Sequence, residues 1–262
     1  MSVSGITTAP GGLSPMPGAA PRRRILLSQA LHEIRTTLRN GEQLLLTLVI
    51  PLLLLVGLSH LPTDLVGHSP SIDAVAPGVL ALAVMSTAFT GQAIATGFER
   101  RYGVLKLLGA TPLGRSGLVV AKTLGVLAVE VVQILLVAVV AFVLGWQPVG
   151  SAPSAVLLLV LGTAAFSALG LLLAGLLRAE ATLAVANGVY LLLLAVGGVV
   201  IPADRLPAGV ASVVSLLPSS ALGQGLRDVL LHGQVFPLGP VVILLVWALV
   251  AGTITVRTFR WS

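Results

Sequence analysis

Long runs of apolar residues dominate this sequence and restrict what it can fold into. A helix needs about 20 apolar residues to cross a bilayer core about 30 Å thick. Six stretches come near this length, at 44–61, 74–98, 118–144, 155–177, 181–201 and 238–256. Charged residues make up only 9% of the 262-residue chain, whereas a soluble domain carries about 25%. Since the alternation of β-barrel strands is missing, the sequence predicts an all-α integral membrane protein with six transmembrane helices.

The positions of the basic residues predict which way the chain faces. Thirteen of the fifteen Lys and Arg residues fall on the side of the predicted bundle that holds both termini. They are Arg22, Arg23, Arg24, Arg35, Arg39, Arg100, Arg101, Lys106, Arg115, Lys122, Arg178, Arg257 and Arg260. The other side has only Arg205 and Arg227, so both termini are predicted to be cytoplasmic. Because these charges adjoin apolar runs, they indicate topology, and no nucleic-acid partner is expected.

The N-terminal part divides into a tail and a helix. Residues 1–21, rich in Pro and Gly, are predicted to be a disordered cytoplasmic tail, and 22–262 to form the six-span domain. Within 24–40 the apolar residues recur at steps of 4, 3 and 4, which is one face of a helix. These residues are Leu27, Leu31, Ile34 and Leu38. We expect this amphipathic helix to lie along the cytoplasmic membrane interface; an ordinary soluble helix is the alternative.

The segment 99–115, ERRYGVLKLLGATPLGR, lies between the second and third predicted spans. It places five ionisable side chains around an apolar set, and Thr111-Pro112 ends its helix because a residue before proline is pushed out of the α region. A short helix with an apolar face and a charged rim can bind in a groove of another protein. It can equally rest on lipid headgroups, and these residues alone leave both readings open.

The spacing E-R-x-x-G-x-L-x-x-L-x-x-T-P-L-x-R in this segment resembles the loop after the second span in permeases of the type-2 ABC transporter family. The interfacial helix, the six spans, the cytoplasmic termini and the prolines before the last span extend the resemblance over roughly 22–260. In that family the loop forms a coupling helix that seats in a separate ATPase subunit. The resemblance implies that eight residues carry this contact: Glu99, Arg100, Gly103, Leu105, Leu108, Thr111, Pro112 and Arg115.

The same resemblance implies the partners. It predicts a permease subunit of an exporter in a bacterial plasma membrane, with two permease subunits, identical or related, around a central path in the lipid bilayer. ATP and magnesium would bind in the cytoplasmic ATPase. The segment between the fifth and last spans, which holds Pro207 and Pro218, is predicted to form two short extracellular helices folded back into the outer leaflet, with Ser219 and Ser220 as an N-cap. A loop resting on the outer surface is the alternative.

Polar residues within the predicted spans are candidates for the lining of a substrate path. Glu130 lies near the middle of the third span, where a charged carboxylate costs about 3 kcal/mol, with Gln133 one turn on. Asn187 and Tyr190 lie in the fifth span. For each of them a hydrogen bond to another helix or to a second copy of the chain is the alternative.

The motifs of catalysis are missing from the sequence. No phosphate loop of the form GxxxxGK[ST] occurs, the four histidines lack metal-ligand spacing, and no GxSxG motif is found. We therefore predict no enzyme activity and no bound cofactor in this chain, so ATP energy would arrive through a partner. The alternatives are an ion-gradient carrier that uses Glu130, a membrane-embedded enzyme and a non-transporting anchor. A carrier would show an inverted repeat, and the two halves have no convincing similarity.

Overall fold

The computed structural model describes residues 20–39, 41–60, 71–196 and 208–259, and within these ranges the chain forms helices and no strand. We number the helices in chain order as α1 (Arg22–Arg39), α2 (Gly41–Ser59), α3 (Ile72–Arg101), α4 (Val104–Gly109), α5 (Gly114–Val143), α6 (Ala152–Leu176), α7 (Ala179–Val196), α8 (Ala208–Val214), α9 (Pro218–Leu230) and α10 (Leu238–Thr258). The all-α prediction is confirmed. Of the predicted disordered tail, residues 1–19 lie outside the described ranges.

Among the described residues, four helices are long and apolar enough to cross a membrane: α3, α5, α6 and α10. They coincide with the second, third, fourth and sixth predicted spans. The first and fifth predicted spans coincide with α2 and α7, whose apolar portions Thr47–Ser59 and Ala179–Ala195 are shorter. Residues 197–201, at the end of the fifth predicted span, lie outside the described ranges. The chain is therefore a multi-pass membrane protein, and the count of six stays a prediction.

The core lies around α3 and α6, which are the most buried of the four long helices. Met85 of α3 and Phe166 of α6 are fully enclosed there. By contrast, only 28% of the α5 span and 17% of the α10 span are buried. That distribution is expected of outer helices in a bundle that faces lipid or further subunits.

The middle of α3 has a different hydrogen-bond register from its ends. Met85–Gly91 forms a π-helix between two α-helical stretches. A π segment shifts the side chains that follow it around the helix axis, and such segments are often found at functional sites. In α3 the segment carries Ser86, Thr87 and Thr90, so three hydroxyl groups occur within two turns.

The N-terminal helix α1 packs along α5 through a face that the apolar pattern did not mark. Ala30 is buried in this contact and Glu33 is nearly so, whereas Leu27, Leu31 and Leu38 remain about half exposed. An exposed row of leucines is what a helix at a membrane interface requires. The helix itself is therefore observed, and its position at the bilayer surface stays a prediction.

The two short helices before the last span lie at the end of the bundle away from α4. Helix α9 runs beside α6, where Leu222 contacts Gly162 and the carbonyl of Val229 contacts Gly150. The N-terminal end of α9 is thus its deepest point. The predicted N-cap is wrong: Pro218 takes the first turn and Ser219 follows inside the helix, because proline is pre-organised for that position.

Candidate coupling site and buried polar residues

The coupling site predicted from the sequence is built on α4 and its flanking turns. Helix α3 ends at Arg101, and Gly103 then adopts a φ of 79°, a left-handed conformation that glycine enters at no steric cost. The following six-residue helix ends at Gly109, where the Thr111 hydroxyl donates to the Leu108 carbonyl at 2.6 Å. We call residues 102–115 the coupling segment.

The inner face of the coupling segment is part of the protein's own core. Leu105 is fully buried and packs with Leu113, Leu118 and Phe259 in a small apolar cluster. Leu108 is partly buried against the same cluster. Leu105 was among the predicted ATPase contacts, but its side chain offers no surface to a separate subunit in this arrangement.

The outer face presents other apolar side chains. Leu107 is 74% and Tyr102 is 73% exposed, and Val104 lies between them with 39% exposed. Of the predicted contact residues, Thr111, Pro112 and Arg115 are also exposed. Neither Leu107 nor Tyr102 was predicted as a contact residue, because a family pattern does not distinguish a leucine that is enclosed by the fold from one that is exposed. Residues two positions apart in a helix lie on different faces, so helical geometry would have shown that Leu105 and Leu107 cannot both face the core.

Three consecutive residues at the end of α3 join the coupling segment to other helices. Arg100 donates to the carbonyls of Gly175 (2.9 Å) and Leu177, and thereby caps the C-terminal end of α6. Arg101 pairs with Glu180 at the start of α7 on an exposed surface. Glu99 turns inward. The predicted contacts Glu99 and Arg100 are thus engaged within the chain.

Glu99 belongs to a buried group of charges that we call the charge triad: Glu33, Glu99 and Lys122. Lys122 of α5 has only 2% of its side chain exposed, and its Nζ lies 2.9 Å from Glu33 Oε2 and 2.8 Å from Glu99 Oε2. Gln29 supports Glu33 by donating from Nε2 to Oε1 at 2.8 Å. The triad therefore connects α1, α3 and α5 beneath the coupling segment.

Two grooves flank the loop that follows α4. They have volumes of about 300 and 540 Å³ and lie between Pro112-Leu113 and the start of α1. Ile25 lines both grooves, and Arg24 and Thr111 lie at the edge of the larger one. The surface beside the coupling segment is therefore grooved rather than flat.

Gln133 joins three helices inside the membrane region. Its Oε1 accepts from the Thr87 hydroxyl at 3.0 Å, and its Nε2 donates to the backbone carbonyl of Thr47 at 2.7 Å. That carbonyl lies four residues before Pro51, which has no N–H to complete the α-helical hydrogen bond. Gln133 thus supplies the donor that Pro51 lacks. The contact that links Gln133 to the Pro51 region could not be predicted from the sequence.

The other three predicted path residues do not converge with Gln133 on one cavity. Glu130 is buried and pairs with the hydroxyl of Thr163 on α6, and its Oε1 has no partner among the described residues. Tyr190 is partly buried on α7. Asn187 is exposed on α7, and its Nδ2 donates to the Leu183 carbonyl of its own helix at 3.0 Å.

A second buried hydrogen-bond chain lies closer to the coupling end. Gln92 of α3 donates to the Ser167 hydroxyl at 2.8 Å, and Ser167 in turn is 2.9 Å from the hydroxyl of Thr123. This chain spans α3, α6 and α5. Such bonds between helices hold a bundle together in lipid, where other polar partners are scarce.

These features define a multi-pass helical membrane protein that presents a short, anchored apolar helix at one end of its bundle. The family model described as ABC-2 type transporter matches residues 28–231, which is more than half of the chain. The chain therefore belongs to the ABC-2 type transporter family, whose members are membrane components of transporters. Among curated proteins, none matches the chain significantly.

Proposed function

We propose that this chain is the permease subunit of an ABC exporter in a bacterial plasma membrane. It would move a substrate outward with energy from ATP, which binds with magnesium and is hydrolysed in a separate ATPase subunit. The observation that carries this proposal is the coupling segment, whose outer face exposes Leu107 and Tyr102 while its inner face is fixed in the core.

The chemistry of the outer face suits a protein groove. Large apolar side chains on exposed helices are costly unless a partner or lipid covers them. Here they are bordered by the exposed charges of Lys106 and Arg115, so an apolar centre has a basic rim. That is the arrangement expected of a helix that binds in a groove with an acidic edge.

A second permease subunit is supported by the outer surfaces of the bundle. Helix α7 exposes Leu191 and Leu192 together with the amide of Asn187. Polar side chains in membrane helices usually face protein or water rather than lipid. We therefore place Asn187 toward a second subunit or toward the substrate path between the two.

The helices α8 and α9 would occupy the extracellular side. Their position at the end of the bundle opposite the coupling segment agrees with the charge distribution, which places the coupling segment in the cytoplasm. The indole N–H of Trp247, in the first half of α10, donates to the Leu216 carbonyl at 2.9 Å. The turn between α8 and α9 thus reaches inward along α10, as a re-entrant pair would.

Purification of the tagged chain in mild detergent, followed by mass spectrometry, tests this function. We expect a stoichiometric protein with a phosphate loop and ATP hydrolysis by the complex. Leu107→Asp should release that protein, because it places a charge at the centre of the apolar contact. A preparation that stays clean of such a protein in several detergents would overturn the proposal and favour a gradient-driven carrier that uses Glu130.

A matched control separates this effect from general damage. Leu31 is an exposed leucine on α1, distant in sequence from the coupling segment. Leu31→Asp introduces the same change at another exposed leucine and should leave the ATPase bound. Equal loss of the ATPase in both variants would contradict a specific role for Leu107.

A further inference from the structure

Stability alone does not explain the charge triad. Burying three charges costs several kcal/mol of desolvation per ion, and well-packed apolar residues often stabilise a fold equally well or better. The neighbouring contact of α5 is apolar. One turn from Lys122 on α5, Leu118 packs with Leu105 and Leu113 in the small cluster under the coupling segment. The presence of charges at the next turn therefore calls for another explanation.

The position of each charge suggests that explanation. Glu99 lies where α3 leaves the bundle and the coupling segment begins, Glu33 is in the middle of α1, and Lys122 holds both carboxylates at 2.8–2.9 Å. Glu99 consequently cannot move unless Glu33 moves with it or one ion pair breaks. Hydrogen-bonded charge networks of this kind are elements that carry coupling between distant sites.

The contact between α1 and α5 is also unusually tight at this point. A Cβ atom at Gly125, less than one turn from Lys122, would lie only 2.7 Å from the Cβ of Glu33. The absence of a side chain at Gly125 lets the two helices approach closely, so Glu33 has no room to slide along α5. Displacement of Glu33 therefore moves α1 and α5 together.

We propose that the charge triad is the joint through which movement of the coupling segment reaches the interfacial helix α1 and the third span α5. This inference rests on the proposed function, since the movement would begin in the partner ATPase. Lys122 is a positioning residue: its side chain is enclosed by this chain and contacts neither substrate nor partner. Removing the joint should uncouple the extracellular side from ATP hydrolysis while assembly and hydrolysis persist.

The chain has no cysteine, so a single introduced thiol can report movement. Val235, 73% exposed between α9 and α10, is a suitable site. The purified complex with Val235→Cys would be labelled with a membrane-impermeant maleimide in ADP and in ATP with vanadate. The labelling rate is measured alongside ATP hydrolysis, so a structural defect and an uncoupled complex give different results.

The test variant neutralises all three charges at once, Glu33→Gln, Glu99→Gln and Lys122→Met, so that no single charge is stranded. We expect ATP hydrolysis to persist and the nucleotide-dependent change in labelling to fall by about 2- to 30-fold, the range of coupling changes seen in such networks. Arg101→Gln with Glu180→Gln is the matched control, because it neutralises an exposed ion pair at the same end of α3, two residues after Glu99. That control should respond as the unaltered chain does.

The outcomes distinguish a failure of the joint from a failure of the proposed function. A triad variant that keeps the full labelling response overturns the joint but leaves the proposed function intact. An unaltered complex that hydrolyses ATP without any labelling response also overturns the joint, since no movement then passes through it. If no ATPase accompanies the chain, the proposed function fails, and the joint fails with it.

A second variant covers the case in which the neutral triad does not fold. Gly125→Ala keeps every charge and inserts a methyl group against Glu33, which forces α1 and α5 apart at the joint. We expect it to reduce the labelling response while hydrolysis persists. A full response in Gly125→Ala would overturn the joint independently of the charge variant.

Discussion

At the residue scale, the contact between Gln133 and the Thr47 carbonyl shows how a defect in one helix is repaired by another. Pro51 removes an intrahelical donor in a region where water is scarce, and an unsatisfied carbonyl there is costly. The amide of Gln133 satisfies it at 2.7 Å and accepts from Thr87 with its other end. Gln133 therefore has a structural reason to be polar, separate from any contact with substrate.

This contact gives a double-mutant prediction. Gln133→Leu should lower the stability of the chain by about 1–3 kcal/mol, because it removes the side-chain donor that replaces the N–H missing at Pro51. Pro51→Ala restores the missing N–H, so the same Gln133→Leu change should cost clearly less in that background. Thermal unfolding in one detergent measures both costs. Equal costs in the two backgrounds would show that Gln133 acts through another contact.

Glu130 gives a second prediction at this scale. The hydroxyl of Thr163 has one proton and two acceptors in reach, the Leu159 carbonyl at 2.8 Å and a carboxyl oxygen of Glu130. An amide at position 130 can donate to Thr163 while Thr163 donates to Leu159. We therefore expect Glu130→Gln to change stability by less than about 1 kcal/mol and to leave assembly intact.

Transport assays separate the two roles of Glu130. If the side chain only bridges α5 and α6, transport in Glu130→Gln persists, whereas Glu130→Leu is less stable because it leaves Thr163 without that partner. Loss of transport with continued ATP hydrolysis in a stable Glu130→Gln complex would instead assign Glu130 to the substrate path.

At the scale of the element, the six residues of α4 carry opposite roles on opposite faces. Leu105 is enclosed and Leu107 is 74% exposed, although both are leucines two positions apart. Leu105→Ala should cost about 2–5 kcal/mol of stability, since it opens a cavity in the cluster with Leu118 and Phe259. Leu107→Ala should change stability little and weaken ATPase binding. Unfolding and co-purification measure the two effects separately, and a reversed result would exchange the two faces.

The sequence predicted the helix bounds where apolar length or a charged turn alone determines them. The apolar stretches identified the four long helices, and the charged turn at Arg178 separates α6 from α7 as expected. The π segment Met85–Gly91 was not predicted, because its residue types do not distinguish a π-helix from an α-helix. The three roles of Glu99, Arg100 and Arg101 were also missed, since their partners lie up to 79 residues away in the chain. Local spacing gives no information on such pairs.

At the scale of the whole molecule, the distribution of basic residues makes a prediction about orientation that single cysteines can test. Thr36 on α1 and Val235 before α10 are both exposed, at opposite ends of the bundle. In intact cells, Val235→Cys should react with an impermeant maleimide and Thr36→Cys should react only after lysis. The opposite pattern would reverse the orientation and remove the coupling segment from the cytoplasm.

Only part of the candidate site could be predicted from the sequence, because contacts between residues that are distant in the chain leave no local pattern. Spacing predicted a short helix between the second and third spans, which is observed as α4, because such a helix is a local feature. Which of its leucines faces outward depends on Leu118 and Phe259, which come from the following long helix and the chain's last described residue. Lys122 was counted as a topology charge, and only the fold places it between Glu33 and Glu99.

The repair of Pro51 by Gln133 also sets a direction for sequence change over generations. If the proline is replaced first, α2 regains its missing backbone hydrogen bond. The glutamine can then change to an apolar residue without loss of stability. If the glutamine is replaced first, the hydrogen bond that compensates for Pro51 is lost, and the less stable sequence is selected against. Relatives of this chain should therefore include sequences with neither residue and sequences with the glutamine alone, while those with the proline alone should be scarce.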